Sequence, residues 1–578
     1  MRHWYHGYGV RCALAAAAGL LLAAAFPKPG WAGMAWIAPG LMLFSATGFR
    51  GRQAFGIGYA AGLGFWLATL YWILYIPFPG GAVAGWLALS AYIALYQATW
   101  VWLCGWWHDR PGPPASLTVS GPADTANEAI GADSPGVSAS DLPGLPRGRG
   151  DTCPSLFRHP VLWPLLCATL WVALEMIRAR LFSGFPWSPL GVSQYQMVPL
   201  VQLAAWTGVY GLSFLIVWFS ASLLVAGGAV YKQPTHRYAW LGPIALPLMA
   251  VLIATAAGTT AVLRAPAPAR FLQVALVQPS IPQTLIWDPK ENTNRFLKMI
   301  ELSETALASR PQLLIWPESS VPDGSADLVD LIRREIVRLV QKHKVWLIFG
   351  AGDAELRQPP KHPDDYAFFN ASILASPEGR FVATYRKQQL VIFGEYVPLV
   401  RWLPFMKWFT PVGEGFASGT RPVPFHLPDL GVTASVLICF EDVFPHLARH
   451  YAQPDTDFLV NITNDGWFGE TAAQWQQAAN AVFRAVENHI PLVRCANNGL
   501  TCWIDAQGRL HEVYFPDSKD IYSMGFKTAS IPLLAKGETR TPTCYRRYGD
   551  WFGWTCVAVS VVAGLLTWRR QDRGEALR

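Results

Sequence analysis

The chain reads as a multi-pass bundle of membrane helices that carries one α/β domain with its sheets covered by helices. Three observations predict this. Charged residues make up only 15% of the 578 residues and hydrophobic residues 52%, with mean hydropathy +0.22. A soluble globular chain carries about a quarter charged residues, so a bilayer serves here as part of the solvent. Second, eight apolar runs approach the ~20 residues that a span requires. Third, the long segment between the seventh and eighth runs changes character, from continuous apolar stretches to short β-branched runs alternating with amphipathic ones.

The apolar runs cover 11–26, 31–48, 54–76, 83–106, 160–177, 199–227, 239–262 and 552–568. A cleavable signal peptide is the alternative for the first, and the many later spans favour an uncleaved helix. The 27 tryptophans suit a membrane protein, because an indole prefers the headgroup boundary. Arg2 and Arg11, Arg50 and Arg52, Arg110, Arg147, Arg149 and Arg158, Lys232 and Arg237, and Arg569, Arg570, Arg573 and Arg578 all fall on one side of an eight-span arrangement. The positive-inside rule makes that side the cytoplasm. Lys28, Arg178 and Arg180 are exceptions on the other side. The expected organisation is a seven-span bundle over 1–263, an extracytoplasmic domain over 264–545, and a final helix with a basic cytoplasmic tail over 546–578. Residues 109–157, rich in Pro, Gly, Ser, Ala and Asp without apolar period, read as a disordered cytoplasmic loop. In GIGYAAGLG, Gly58 and Gly62 have the spacing that lets two helices approach closely. Glu175, Arg178 and Arg180 sit at an outer helix end, where headgroup contact and a local ion pair are both open readings.

Within the domain, FLQVALVQ, QLLIWPE, VWLIFGAG, ASVLICFE, DFLVNIT and PLVRCAN read as buried strands, and DLVDLIRREIVRLVQKHK as an amphipathic helix. Strands alternating with helices imply sheets with helical cover. The nine cysteines contain no CxxC pair and no Cys/His metal spacing, so no metal site is expected. Cys12, Cys104, Cys167 and Cys556 read as small buried hydrophobes. Cys495, Cys502 and Cys544 leave a disulfide open.

Three strand ends hold reactive groups: Glu318 after LLIWP, Lys387 after ATYR and Cys439 after ASVLI. A thiol, an ammonium and a carboxylate suit acyl transfer. The carboxylate takes the thiol proton, the thiolate attacks a carbonyl, and the ammonium steadies the developing oxyanion. Each residue also has a plainer reading: Cys439 as a core cysteine, Glu318 as a helix cap, Lys387 as a surface lysine.

LLIWPES, YRKQQLVIFGEYVP, ICFEDVFP and NDGWFG resemble the signature blocks of the nitrilase superfamily, and within it those of the apolipoprotein N-acyltransferase family. GFPW at 184–187, VYGLSFL at 209–215 and SIPQTLIWDP extend the resemblance over nearly the whole chain. It implies a nitrilase-like αββα sandwich, with Glu318 as base, Lys387 as oxyanion-stabilising lysine and Cys439 as nucleophile. Glu395 and Glu441 match further active-site glutamates, with structural ion pairing the alternative for both. Trp287 matches a tryptophan needed for activity, with an ordinary core aromatic the alternative. Asn464, Asp465 and Trp467 would shape the pocket wall. Phe440 stands where the family often has tyrosine.

The resemblance implies a bacterial inner-membrane enzyme, without cofactor, that works at the outer face. An acyl chain would pass from a phospholipid such as phosphatidylethanolamine to Cys439, then to the α-amino group of a diacylglyceryl-cysteine on an apolipoprotein. A monomer is expected, with no nucleic-acid partner. RWLPFMKWF (401–409) is either an arm dipping into the headgroups or an amphipathic cover for the core. The rivals are a membrane-tethered amidase or nitrile hydrolase acting on a small substrate, and a scaffold without catalysis.

Overall fold

The computed structural model describes residues 7–108, 159–357, 365–398 and 415–575. The 109–157 segment and the 401–409 stretch lie outside them. The helical part comprises α1 (Tyr8–Ala24), α2 (Ala38–Ser45), α3 (Gly51–Thr69), α4 (Pro79–His108), α5 (Leu162–Arg178), the single turns α6 (Val198–Val201) and α7 (Ala204–Thr207), α8 (Val209–Lys232) and α9 (Arg237–Leu263). Among the described residues, four helices are long and apolar enough to cross a membrane: Pro79–Trp107, Val209–Lys232, Arg237–Leu263 and Trp551–Arg569. They coincide with four of the eight apolar runs. The other four runs form shorter or less apolar helices. α1 and α5 have 17 residues each, which at ~1.5 Å per residue fall short of a ~30 Å hydrocarbon core. The second run is broken at Ile37 into a tight turn and the eight-residue α2. The run at 199–227 does not start a span at 199: it makes two turns, then breaks at Gly208 (φ +67°) before α8 begins.

Gly58 and Gly62 do serve helix packing. A Cβ at Gly62 would lie 2.8 Å from the Cα and carbonyl oxygen of Ala94 on α4, and one at Gly58 would lie 2.9 Å from the Cα of Ala98. Gly62→Leu is therefore expected to force α3 and α4 apart, at a cost of at least 1–3 kcal/mol by the usual scale of overpacking, roughly. Thermal unfolding of the purified protein reads this. Gly85→Leu is the control, since open space surrounds that position.

The domain runs β1 (Arg270–Gln278), α10 (Gln283–Ile286), α11 (Asn292–Leu307), β2 (Leu313–Ile315), α12 (Ala326–His343), β3 (Trp346–Leu356), β4 (Tyr366–Ala375), β5 (Phe381–Arg386), β6 (Pro424–Leu427), β7 (Val432–Ile438), α13 (Pro445–Tyr451), β8 (Phe458–Thr463), α14 (Ala473–Asn488), β9 (Leu492–Ala496), β10 (Cys502–Ile504), β11 (Leu510–His511) and β12 (Gly525–Leu533). α15 (Cys544–Tyr548) leads into α16 (Trp551–Glu575). Two six-stranded mixed sheets result, ordered β12-β1-β2-β3-β4-β5 and β11-β10-β9-β8-β7-β6. Each is parallel at its centre (β1/β2/β3 and β7/β8/β9) and antiparallel at its edges. The six strands read from the sequence are these parallel central ones, buried on both faces and hence continuously apolar.

Alternation assigns the faces. Val274, Leu276, Leu313, Ile315 and Ile348 join the core shared with the second sheet. Ala275, Val277, Leu314, Leu347 and Phe349 pack instead beneath α11 and α12, with Phe296, Ile336 and Leu339. α12 starts at the Ser325 side chain, which accepts from Leu328 N, as an N-cap should. All cysteines among the described residues are free. The Cys495 thiol, deep between the sheets, donates to the Val277 and Ile315 carbonyls.

Candidate active site

The three predicted reactive groups sit just past the carboxyl ends of β2, β5 and β7. Glu318 follows β2 by way of Trp316 and Pro317. The chain can approach β3 there because position 350 is glycine: a Cβ would stand 2.6 Å from the Pro317 carbonyl and 2.7 Å from Glu318 Cα. Cys439 leaves the extended Ile438 in a left-handed conformation, φ +51°, and opens a tight turn, Cys439–Val443. A non-glycine residue held there costs about 1–3 kcal/mol and persists because its surroundings fix it, a frequent condition at reactive positions.

The structure brings Glu318, Lys387 and Glu395 into one buried cluster. Lys387 Nζ lies 2.8 Å from Glu395 Oε1 and 3.3 Å from Glu318 Oε1. Asn370 on β4 donates from one nitrogen to both carboxylates, at 2.7 and 2.8 Å. Each second oxygen accepts a backbone N–H, Asn464 N for Glu318 and Val391 N for Glu395, both at 2.9 Å. Burial pulls the Lys387 pKa down, but Glu318, then Glu395, outweigh it and hold the ammonium well above its ordinary value. Burial, then the Glu318 carboxylate, raise the Cys439 thiol well above its ordinary value, against the opposing pull of Lys387 and a hydrogen bond with Thr463. The resting thiol is therefore protonated, raised by the Glu318 carboxylate and opposed by the Lys387 ammonium. The helix-cap reading of Glu318 and the surface reading of Lys387 both fail on this geometry.

Glu441 lies in a different place. Its carboxylate accepts Tyr385 OH, Gln388 N, Gln389 N and Ile438 N at 2.7–3.1 Å. It thereby ties the segment after Lys387 to the strand end before Cys439. Burial is the main cause that pushes its pKa up to about 7.

Sequence reasoning missed the floor beneath Cys439. The Cys439 carbonyl accepts from Asn461 (3.0 Å) and Gln477 (2.9 Å). Asp442 and Asp465 pair with Arg494, and all three are fully buried. Arg494 carried a legible signal: it is the one charge in the apolar strand PLVRCAN, and a buried guanidinium needs carboxylate partners.

Trp287 is not part of the cluster. It is 40% exposed and meets Trp467 edge-on, with ring centroids 5.1 Å apart. Asn464 contacts Glu318 through its backbone, and Trp467 forms this rim. On the other side of Cys439, Phe440 packs against Phe185 and Trp187 of the GFPW loop, with centroids at 5.9 and 6.1 Å. That loop is fixed from within the bundle. Arg178 donates to Trp187 O at 2.7 Å, and Glu175 accepts Leu190 N at 2.8 Å. Both side chains are buried, while Arg180 pairs with Asp550.

The carbon-nitrogen hydrolase family matches residues 273–521, and the apolipoprotein N-acyltransferase N-terminal domain matches 18–123 and 150–222. An apolipoprotein N-acyltransferase of Geobacter metallireducens is 32% identical over 97% of this chain and 95% of its own length. One of Rickettsia prowazekii is 29% identical over 67% of this chain and 73% of its own. Among solved structures, an amidase from Nesterenkonia sp. is 19% identical, covers 46% of this chain and 92% of its own, and has a TM-score of 0.33. On the first of these relatives, matched nearly end to end, this chain belongs to the apolipoprotein N-acyltransferase family.

Proposed function

We propose that this chain moves an acyl chain from a phospholipid, by way of a thioester on Cys439, to the α-amino group of the N-terminal S-diacylglyceryl-cysteine of an apolipoprotein. The observation that carries the reading is the buried Lys387 ammonium, set between Glu318 and Glu395 and acting with Glu318 on the protonated Cys439 thiol. Glu318 takes the thiol proton as sulfur attacks the ester carbonyl. Lys387 steadies the oxyanion, and Glu395 keeps Lys387 charged and aimed. The tetrahedral intermediate collapses, the C–O bond breaks, and the lysophospholipid leaves with the proton held by Glu318. The acceptor amine then attacks the thioester and gives a proton to Glu318. The C–S bond breaks, and the proton returns to the thiolate. Glu441 holds the nucleophile's turn, and Trp287 with Trp467 borders the entrance.

A lipid donor stays in its bilayer, so the site must open at a membrane surface. Exposed aromatics at the helix ends support that placement. Trp31, Tyr75, Trp206 and Trp551 lie at ends that lead toward the α/β domain, and Tyr8, Tyr231, Tyr238 and Trp568 near the opposite ends. Two such girdles mark headgroup levels. With the basic residues on the far side, this favours the helical part and the final helix lying in the inner membrane, the domain facing outward. The tethered amidase has no need of the aromatic wall between Phe440 and the bundle. The test supplies the purified protein with phosphatidylethanolamine and a diacylglyceryl-cysteine peptide. The peptide should gain one amide-linked acyl chain as one lysophospholipid appears. Ammonia release from a small amide without phospholipid, and no acylated peptide, would move the assignment to the amidase.

A further inference from the structure

Two adjacent glutamines on α14 face opposite partners. Gln476 is 2% exposed, and its carboxamide uses its whole hydrogen-bonding capacity on the helical part. Oε1 accepts the indole N–H groups of Trp72 (3.1 Å) and Trp187 (2.8 Å). Nε2 donates to the carbonyls of Pro27 (3.1 Å) and Thr69 (3.2 Å). One side chain thus gathers the segment after α1, the end of α3, the turn after it and the GFPW loop. Gln477, equally buried, turns the other way: its Nε2 donates to the Cys439 carbonyl (2.9 Å) and to Asp442 Oδ1 (3.1 Å). The circuit closes through Trp187, which stacks on Phe440, the residue after Cys439.

We propose that Gln476 and Gln477 form one positioning unit that sets the pose of the Cys439 turn by the position of the bundle loops. Consecutive helix residues project about 100° apart, so one turn of α14 reaches both bodies without a flexible link. The left-handed Cys439 turn is strained and depends on outside contacts to hold it. Gln477 supplies one on its carbonyl side. Gln476 supplies the other indirectly, by fixing the Trp187 ring against Phe440. The inference rests on the acyltransfer reading for its main assay and has a second readout that does not.

The test uses the full-length protein in phospholipid nanodiscs. The initial rate of Cys439 acylation by phosphatidylethanolamine, followed by intact mass, is compared for wild type, Gln476→Leu, Gln477→Leu and the double variant. Each single change should lower kcat about ten- to hundredfold with KM for lipid unchanged, as expected for a small misplacement of the nucleophile. The double should be no slower than the slower single, because both break one device. Rate losses that multiply in the double, a change confined to KM, or an unchanged rate would each overturn the proposal. Should Gln476→Leu fail to fold, Trp187→Phe serves: it deletes the indole donor to Gln476 and leaves a smaller aromatic ring against Phe440, and it should reproduce the kcat loss. If even wild type takes no acyl chain, the acyltransfer reading fails by itself. Iodoacetamide alkylation of Cys439 then decides: slower labelling in both single variants supports the unit, and wild-type rates sink it.

Discussion

Wild-type protein incubated with phosphatidylethanolamine and no acceptor gains the mass of one acyl chain, hydroxylamine removes it, and Cys439→Ala gains nothing. This is the largest effect expected of any side-chain change, because it deletes the atom that carries the intermediate. Loss of a covalent nucleophile costs on the order of 10⁵- to 10⁶-fold in turnover. The alanine should fold normally. The thiol's hydrogen bond is with Thr463 and not within the turn, which is held through the Cys439 carbonyl by Asn461 and Gln477, and through Ile438 N by Glu441. The same experiment separates nucleophile from base. The thiol rests protonated, raised by burial and by Glu318. Glu318→Gln should therefore slow acylation steeply at neutral pH and recover part of it as pH rises and hydroxide replaces the missing base. An adduct on Cys439→Ala, or equal acylation rates in Glu318→Gln and wild type at neutral pH, would refute these roles.

Much of this site was legible before any coordinates, for a physical reason. Reactive groups at the ends of fully buried strands sit in short segments whose composition is nearly forced: an apolar run, then one polar residue that the run cannot explain. Lys387, after the largely exposed edge strand β5, lacks that signature, but Glu318 and Cys439 have it. So do the central strands β1, β2, β3, β7, β8 and β9, all among the predicted ones. Apart from the end of β5, read from ATYR, the antiparallel outer strands β4, β6, β10, β11 and β12 were not legible, because their apolar runs are short or interrupted by polar residues. Asn370 on β4, which donates to both carboxylates, was lost with them. The helical part was read less well. Hydropathy gives the length of an apolar run but not whether Gly208 or Ile37 breaks it. The docking of loops on α14 was hidden too. Trp72, Trp187 and Gln476 lie far apart in the chain, and each alone looks like an ordinary buried residue.

Lys387→Met should remove both activity and a large part of the stability, and a second change should restore only the stability. The ammonium is 1% exposed and stands between two carboxylates that are themselves nearly buried. Removing one partner of a buried ion pair costs about 3–5 kcal/mol, because uncompensated charge remains behind. Here two carboxylates would remain, bridged only by the amide nitrogen of Asn370. With no cation between them, the two carboxylates share one amide donor, and the oxyanion partner is lost with the ammonium. Adding Glu395→Gln to Lys387→Met removes the second carboxylate charge while keeping its shape, so thermal unfolding of the double variant should return most of the way to wild type. Acylation of Cys439 should not return, because nothing then offers a positive charge where the carbonyl oxygen becomes anionic. Stability and turnover thus divide between the two roles of one lysine. A double variant that regained turnover would show that Lys387 serves only to neutralise its neighbours. One that regained neither would show that the cluster needs the ammonium for its geometry and not for its charge.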